Sequence, residues 1–236
     1  MMKQMQTLGL SMSLILFWQA NADSINNLNF AGNVKVSQEN YQSINVNGDL
    51  DAERITNSGM SNISGKAQFR QSKLQDLSID GKATLENSQV NGEINIAGAL
   101  KVSNSQLSGK LLHCSGNLTS NNSSYASPLN INGTLDSTHD NFAQTVNTSG
   151  SITLNQSIFH QGLSSSGYKL KLSNSQIQGD ITDNAKIWIL TPQIFLDNTQ
   201  VNGNIVFTKM TGELILANGA KVSGTIKNAK IVRYGS

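Results

Sequence analysis

The densest group of side chains with catalytic chemistry is acidic, because Asp49, Asp51 and Glu53 alternate within one short segment. Alternate residues of a β-strand point to the same side, so these three carboxyl groups would share one edge. Two carboxyl groups on one face are what most enzymes that cleave glycosidic bonds use. The matching positions of the next segment hold Lys66, Gln68 and Arg70 instead of acids. We therefore interpret the cluster as solvated surface charge, with carbohydrate cleavage as the alternative.

The thiol and imidazole groups do not form a site with a recognisable spacing. The chain has one cysteine, Cys114, and three histidines, His113, His139 and His160. These residues lack the repeated ligand spacing of a zinc site, and a single cysteine excludes an internal disulfide framework. We predict no catalytic residue, no cofactor and no metal site. Cys114 is expected to be a buried substitute for an aliphatic residue.

The charge balance excludes one class of partner. The chain has 17 basic and 15 acidic residues, without a clustered basic excess. Proteins that bind nucleic acid usually present such a basic surface. We therefore predict that nucleic acid is not a partner.

The N-terminal residues have the pattern of a secretory signal. Lys3 precedes an apolar run from Leu8 to Trp18, and small residues follow at Ala20 and Ala22. The run is shorter than the roughly 18 to 20 residues of a membrane-spanning helix. We predict a signal peptide over 1–22, cleavage before Asp23 and no membrane span in the mature protein. The predicted location is the periplasm, the cell surface or the extracellular space.

Glycine recurs through the mature region at intervals of 16 to 18 residues. The series consists of Gly32, Gly48, Gly65, Gly81, Gly98, Gly116, Gly133, Gly150 and Gly167. Positions two and four residues before and after each glycine are mostly apolar, as are Ile94, Ile96, Leu100 and Val102 around Gly98. Alternation with a period of two predicts short strands that each bury one face. The glycine marks a corner between two such strands.

Two further positions recur in each interval. The ninth residue after most of these glycines is apolar, and this position includes the aromatic residues Tyr125, Phe142 and Phe159. We expect the three rings to lie in the core, although an outward-facing stack would resemble a sugar-binding stripe. The sixth residue is polar in every interval: Gln38, Arg54, Gln71, Asn87, Asn104, Asn122, His139 and Gln156, with Asn174 one position later. We predict a second corner there with a left-handed backbone, which asparagine tolerates well.

These patterns predict an all-β fold. The mature chain, 23–236, is expected to form a single-stranded, right-handed parallel β-helix of about 17 residues per turn and about 11 turns. Residues 183–193 are expected to form a loop insertion, and residues 226–236 a last strand or cap. An antiparallel sandwich or barrel is the alternative, since Asn-Gly pairs such as Asn47-Gly48 also suit hairpins. The fixed repeat favours the parallel coil.

Residues 85–110, LENSQVNGEINIAGALKVSNSQLSGK, resemble the polymer-forming β-helix repeats of bactofilins. Residues 129–157, LNINGTLDSTHDNFAQTVNTSGSITLNQS, are similar to the repeats of secreted haemagglutinin-type adhesins. Bactofilins are cytoplasmic scaffolds without signal peptides, which the N-terminus of this chain does not match. Either resemblance implies a structural or binding role without catalytic residues.

The sequence therefore predicts an exported, non-enzymatic structural or adhesive solenoid. Such a protein would assemble with itself or present a repetitive polar surface. The expected partners are copies of the same chain, joined end to end, or a cell-surface glycan. The alternative is a carbohydrate-binding or carbohydrate-cleaving β-helix protein, and Asp49, Asp51 and Glu53 would then be the first residues to replace.

Overall fold

Successive segments of the chain run in the same direction and stack on one another. The structure is a computed structural model that describes residues 14–15, 26–186 and 190–235. It forms a parallel β-solenoid of about 12 turns with about 17 residues per turn. Parallel pairing from one turn to the next confirms the predicted coil and excludes the antiparallel sandwich.

The strands are short except in the turns between Asn40 and Ser103, where they continue around corners. The first half of the chain contains β1 (Leu14–Ile15), β2 (Asn26–Ala31), β3 (Val34–Ser37), β4 (Asn40–Asn47), β5 (Leu50–Glu53), β6 (Thr56–Arg70), β7 (Lys73–Glu86), β8 (Gln89–Val90), β9 (Ile94–Ser103), β10 (Gln106–Leu107), β11 (Leu112–Cys114), β12 (Leu118–Asn121), β13 (Ser124–Tyr125), β14 (Leu129–Ile131) and β15 (Leu135–Thr138). The second half contains β16 (Asn141–Phe142), β17 (Val146–Thr148), β18 (Ile152–Asn155), β19 (Ile158–Phe159), β20 (Leu163–Ser165), β21 (Lys169–Ser173), β22 (Gln176–Ile177), β23 (Ile181–Asp183), β24 (Gln193–Asp197), β25 (Gln200–Val201), β26 (Ile205–Phe207), β27 (Gly212–Ala217), β28 (Lys221–Val222), β29 (Ile226–Lys227) and β30 (Ala229–Tyr234).

Equivalent residues of neighbouring turns lie directly above one another. Leu118 pairs with Leu135, and Leu135 pairs with Ile152. The inward side chains therefore form continuous columns, and most aliphatic and aromatic residues in these columns are buried. Burial of these columns drives folding, and each turn needs its neighbours because a single turn cannot bury its own apolar face.

The polar corner predicted from the sequence has a left-handed backbone at all nine of its predicted positions. The values of φ there lie between 49° and 58°, and the same conformation recurs later at Asn198 and Asn218. Some of these side chains also bond across turns, since the amide of Asn122 donates to Asn104 over 2.7 Å. Asparagine suits the corner because its short polar side chain tolerates this backbone region.

The glycine corner depends on close approach between turns. Gly48, Gly65, Gly81 and Gly98 have φ between 141° and 149°. A Cβ atom on any of them would meet the carbonyl group of the preceding corner glycine. Only glycine fits a corner in which backbone is stacked so closely on backbone.

The expected insertion lies between β23 and β24, so Asp183 and Gln193 belong to strands and not to the loop. Lys169 pairs with Gln193, a step of 24 residues in place of the usual 17 or so. At the C-terminus, β29 and β30 form the last strands of the coil.

The predicted signal peptide, 1–22, lies outside the described residues except for β1, which pairs in parallel with Val34 and Lys35 of β3. In the described residues, no helix is long and apolar enough to cross a membrane.

Candidate functional site

The acidic cluster lies on β5 and the corner before it, and basic residues of neighbouring turns face it. In-register stacking places Lys35 on one side of Asp51 and Gln68 on the other, while Arg70 lies above Glu53. Arg70 binds Asp51 over 2.5 Å, and Lys35 approaches the same carboxylate to 3.6 Å. Each carboxylate of β5 is therefore balanced by a cation from an adjacent turn.

Glu53 and Asp49, the other two acids, also form ion pairs or hydrogen bonds with neighbouring residues. Glu53 binds Arg54 over 2.8 Å, and Arg70 lies 4.0 Å from it. The carboxylate of Asp49 accepts a hydrogen bond from the backbone N–H of Lys66 over 2.9 Å. Glycoside hydrolysis needs two carboxyl groups that face the substrate, whereas the carboxylates of Asp51 and Glu53 contact Lys35, Arg54 and Arg70. The arrangement suits a surface ion-pair network better than a catalytic pair.

The three histidines lie on different turns or faces. His113 shares a hydrogen bond of 3.2 Å with Ser115, His139 is at the left-handed corner with φ of 56°, and His160 is exposed beyond β19. Within residues 14–15, 26–186 and 190–235, no group of three His, Cys, Asp or Glu side chains is placed to hold a metal ion. The three histidines are therefore apart from one another in the coil.

A shallow depression of about 160 Å³ surrounds the His113–Ser115 pair. Its lining includes Asp80 and the small side chain of Ala97, which lies in register with Asp80. His113 is in register with Asn95, which is in register with Ser78, so Asp80 lies at least two strand spacings, roughly 10 Å, from His113. A nucleophilic serine needs a histidine that a third group orients by a hydrogen bond, and Asp80 is too far away to be that group. Among the residues that line the depression, no group is therefore placed to orient His113 toward Ser115.

Cys114 lies in the core, as predicted. Its side chain is fully buried, and the thiol points toward the carbonyl oxygen of Gly98 at 3.5 Å. Burial raises the pKa of the Cys114 thiol, so the reactive thiolate form is disfavoured. A redox or nucleophilic role for this cysteine finds no support in its surroundings.

The three aromatic rings also lie in the core. The ring centroids of Tyr125 and Phe142 are 4.8 Å apart, and those of Phe142 and Phe159 are 4.3 Å apart. The Tyr125 hydroxyl donates to Ser120 over 2.6 Å, which satisfies its polar group inside the protein. The rings are inaccessible to a sugar, so the prediction of a core stack is confirmed.

The sequence reasoning missed a buried column of hydroxyl groups beside the left-handed corner. Each hydroxyl accepts a hydrogen bond from the backbone N–H of the equivalent residue one turn earlier, as Ser105 does from Ser88 over 3.0 Å. The column consists of Ser72, Ser88, Ser105, Ser123, Asp140, Ser157, Ser175 and Thr199. Its signal in the sequence is a Ser, Asp or Thr directly after each corner residue from Gln71 to Asn198.

Asp140 is the charged member of this column. Its carboxylate accepts from the backbone N–H of Ser123 and from the hydroxyl of Ser137, both over 2.7 Å. Burial nevertheless raises the pKa of Asp140. Asp140 thus accepts the hydrogen bond from the backbone N–H of Ser123, as a serine hydroxyl does in the turns on either side. Burying a carboxyl group for this purpose is unfavourable.

A second buried carboxyl group, Asp183, belongs to a different column. The residues below it are Thr148 and Ser165, whose hydroxyls donate to backbone carbonyls of the glycine corner over 2.7 and 3.0 Å. One carboxyl oxygen of Asp183 accepts from Ala185, while the other has no hydrogen-bond partner among the described residues. Burial raises the pKa of Asp183 to about 6.

We expect the protein to be more stable at acidic pH because of these two groups. The pKa of Asp183 is 3.8 in the unfolded chain and about 6 in the folded protein, so the folded protein binds the proton more tightly. The protonated group therefore stabilises the fold fully below pH 3.8, and this contribution is lost as the pH rises through 6. Replacing Asp183 with serine keeps a hydroxyl donor and removes the carboxylate. The free energy of unfolding at pH 7 should rise by about 1 to 3 kcal/mol.

Thermal unfolding at pH 4.5 and pH 7 measures this effect. The wild type should melt higher at pH 4.5, and the difference should shrink in the Asp183→Ser variant, with a remainder from Asp140. Asp136→Ser, on the exposed side of its strand, is the control and should leave the difference unchanged. A wild-type melting temperature that falls on acidification would contradict the assignment.

The outward surface carries rows of amide side chains at the same positions of successive turns. Asn45 donates to Asn29 over 3.0 Å, and Asn62 donates to Asn45 over 3.1 Å. The same arrangement joins Asn147 to Asn130 over 3.1 Å. Each row repeats at the spacing of the strands, about 4.8 Å. These rows place amide groups on the exposed surface at a fixed repeat.

Comparison of the chain with protein-family models, with curated proteins and with solved structures gave no match.

Proposed function

We propose that the protein is an exported structural or adhesive rod that presents a repetitive polar surface to carbohydrate of the cell envelope. The observation that carries this proposal is the rows of hydrogen-bonded amides. Amide groups donate and accept hydrogen bonds as sugar hydroxyls do. A row with a fixed repeat offers several equivalent weak contacts to a polymer, and weak contacts add up when they are linked.

Export is the second part of the proposal. It is supported by Lys3, the apolar run from Leu8 to Trp18 and the small residues at Ala20 and Ala22. Expression of the full chain in a bacterium, followed by cell fractionation and mass measurement, tests it. We expect an exported product that begins at Asp23. A product that keeps residues 1–22 in the cytoplasm would refute export.

A binding experiment tests the polar surface. We expect the protein to be retained on an array of cell-envelope polysaccharides, and replacement of Asn29, Asn45 and Asn62 together by alanine should weaken retention about tenfold or more. Thr119→Ala is the matched control, because Thr119 is exposed and lies outside the amide rows. Both variants should unfold like the wild type, since the altered side chains are on the surface.

Two results would contradict the proposal. Equal retention of the triple variant and the control would show that the amide rows do not bind. Release of reducing ends from a polysaccharide, abolished by Asp51→Asn, would instead establish the carbohydrate-cleaving alternative. The ion pairs of Asp51 with Lys35 and Arg70 argue against that outcome.

A further inference from the structure

The last turn of the solenoid has an open edge. In the described residues, β28, β29 and β30 each pair only with the strand of the preceding turn. Apolar side chains are uncovered there, since Ile231 is 39 % exposed and Tyr234 is 59 % exposed. Unpaired backbone groups along a strand edge form a template for another strand.

The net charge of the rod is concentrated at its two ends. Residues 218–235 contain Lys221, Lys227, Lys230 and Arg233 and no acid, a net charge of +4. Residues 26–54 contain four acids and two basic residues, a net charge of −2, whereas residues 55–217 are balanced. Lysine on an edge strand discourages pairing between identical edges. The same charges attract an end of opposite sign.

Arg233 occupies an inward column that is otherwise apolar at this end of the coil. It pairs with Leu216 of the preceding turn, and Leu216 is itself in register with Leu196. Both leucines are buried, but Arg233 is exposed because no described turn lies above it. A cation at such a position needs an acidic partner if another turn is to cover it.

The contacts inside the coil identify which residue of a following turn would meet Arg233. Ser137 and Phe69 occupy the same inward position as Arg233 in their own turns. In each case the residue that contacts this position from the next turn belongs to the buried hydroxyl column. Ser157 contacts Ser137 over 3.0 Å, and Ser88 donates to the carbonyl of Phe69 over 3.3 Å. In the first turn, the residue at the hydroxyl position is Glu39, directly after the corner residue Gln38. A second copy stacked in register would therefore place its Glu39 on Arg233.

The apolar positions also match across such a junction. Ile226 would meet Leu28, and Ile231 would meet Val34, while Val222 would lie against Asn26, the residue in register with Tyr41. Leu28, Tyr41, Val222 and Ile226 are only partly buried in the single chain. The two faces that carry Ile226 and Ile231 would thus continue with apolar residues in register.

We propose that the rods join head to tail, with the basic last turn of one copy stacked on the first turn of the next and Arg233 paired with Glu39. This inference extends the proposed function and rests on its proposal of export, in which residues 1–22 are removed. β1 occupies the edge of β3 at Val34 and Lys35, where β30 of another copy would pair. The junction therefore forms after residues 1–22 have been removed, as export requires.

Charge reversal of the two residues tests the junction. The core residues that the structure describes lie within 28–229, so the chain 23–236 keeps all of them. We expect sedimentation of this chain at low salt to show concentration-dependent assembly that weakens as salt rises. Arg233→Glu alone and Glu39→Arg alone should each weaken assembly about tenfold or more, because each creates a like-charged junction.

A mixture of the two variants is the decisive measurement. Arg233→Glu places an acid in its last turn that pairs with the arginine in the first turn of Glu39→Arg, and the reverse junction keeps the native pair. Equal amounts should therefore assemble as well as the wild type, which a folding defect could not produce. Lys66→Glu, in the third turn, is the control for a change of net charge and should assemble normally.

Three outcomes would overturn the junction. They are a wild-type chain that stays monomeric, single variants that assemble like the wild type, and a mixture that does not recover. A monomeric chain that binds vesicles of anionic lipid would assign the basic end to such a surface. A monomeric chain that is still retained on polysaccharide would refute the junction and leave the proposed function intact.

Discussion

Replacing Phe142 with alanine is expected to lower the free energy of unfolding by about 3 to 5 kcal/mol. Phe142 is fully buried and stacks on Tyr125 on one side and on Phe159 on the other. The substitution removes buried apolar surface and two ring contacts, and it leaves a cavity between neighbouring turns. Because turns contact only their neighbours, the cavity should weaken the coil at its centre.

Denaturation in urea, followed by circular dichroism, measures this loss. Ile158→Ala is the matched control, since Ile158 lies one turn later and is 40 % exposed, on the outward side of its strand. We expect the control to change the midpoint far less than Phe142→Ala. Phe142→Leu should fall between the two, because leucine fills part of the space. Similar losses for Phe142→Ala and Ile158→Ala would show that the stack does not stabilise the core.

Replacing Gly98 with alanine should be equally severe, about 3 to 5 kcal/mol, although it adds only one methyl group. Gly98 has φ of 144°, a region that side chains with a Cβ atom avoid. The added Cβ would also meet the carbonyl group of Gly81 in the turn before. Neither backbone can move without breaking the pairing of β7 with β9.

Gly219→Ala separates the cost of the backbone conformation from the cost of the steric clash. Gly219 also has a positive φ, 80°, but a Cβ atom there would meet nothing within 4 Å. This control should therefore show only the cost of the backbone conformation, about 1 kcal/mol. Equal destabilisation by the two substitutions would mean that contact between glycine corners contributes nothing. Thermal unfolding of the two variants, measured at one pH, makes the comparison.

The repeat could be predicted because its signals are local and recur at fixed positions. A glycine, two alternating apolar pairs and a polar residue define two corners and the strands between them. The left-handed corner residues, Gln38 to Asn174, and the buried stack of Tyr125, Phe142 and Phe159 could be predicted from their positions in the repeat alone.

The buried polar groups were not predicted because serine and aspartate usually lie on the surface. Ser105 and its equivalents are buried since each satisfies a backbone N–H of the turn before, a need that composition does not reveal. Asp140 and Asp183 were missed for the same reason. The ion pairs of Arg70 depend on a diagonal contact between turns, which alternation within one strand does not specify.

The in-register columns have an evolutionary consequence. Deleting residues 134–150 would remove one turn and join Gly133 to Ser151, a residue of the same kind of position as Thr134. Most inward side chains would meet a neighbour of similar type, as Leu118 would meet Ile152 in place of Leu135, so the interior would need little repair. A gene for such a protein can lengthen or shorten its product through unequal recombination, in increments of about 4.8 Å. Rod length is thus a trait that selection can adjust in discrete steps.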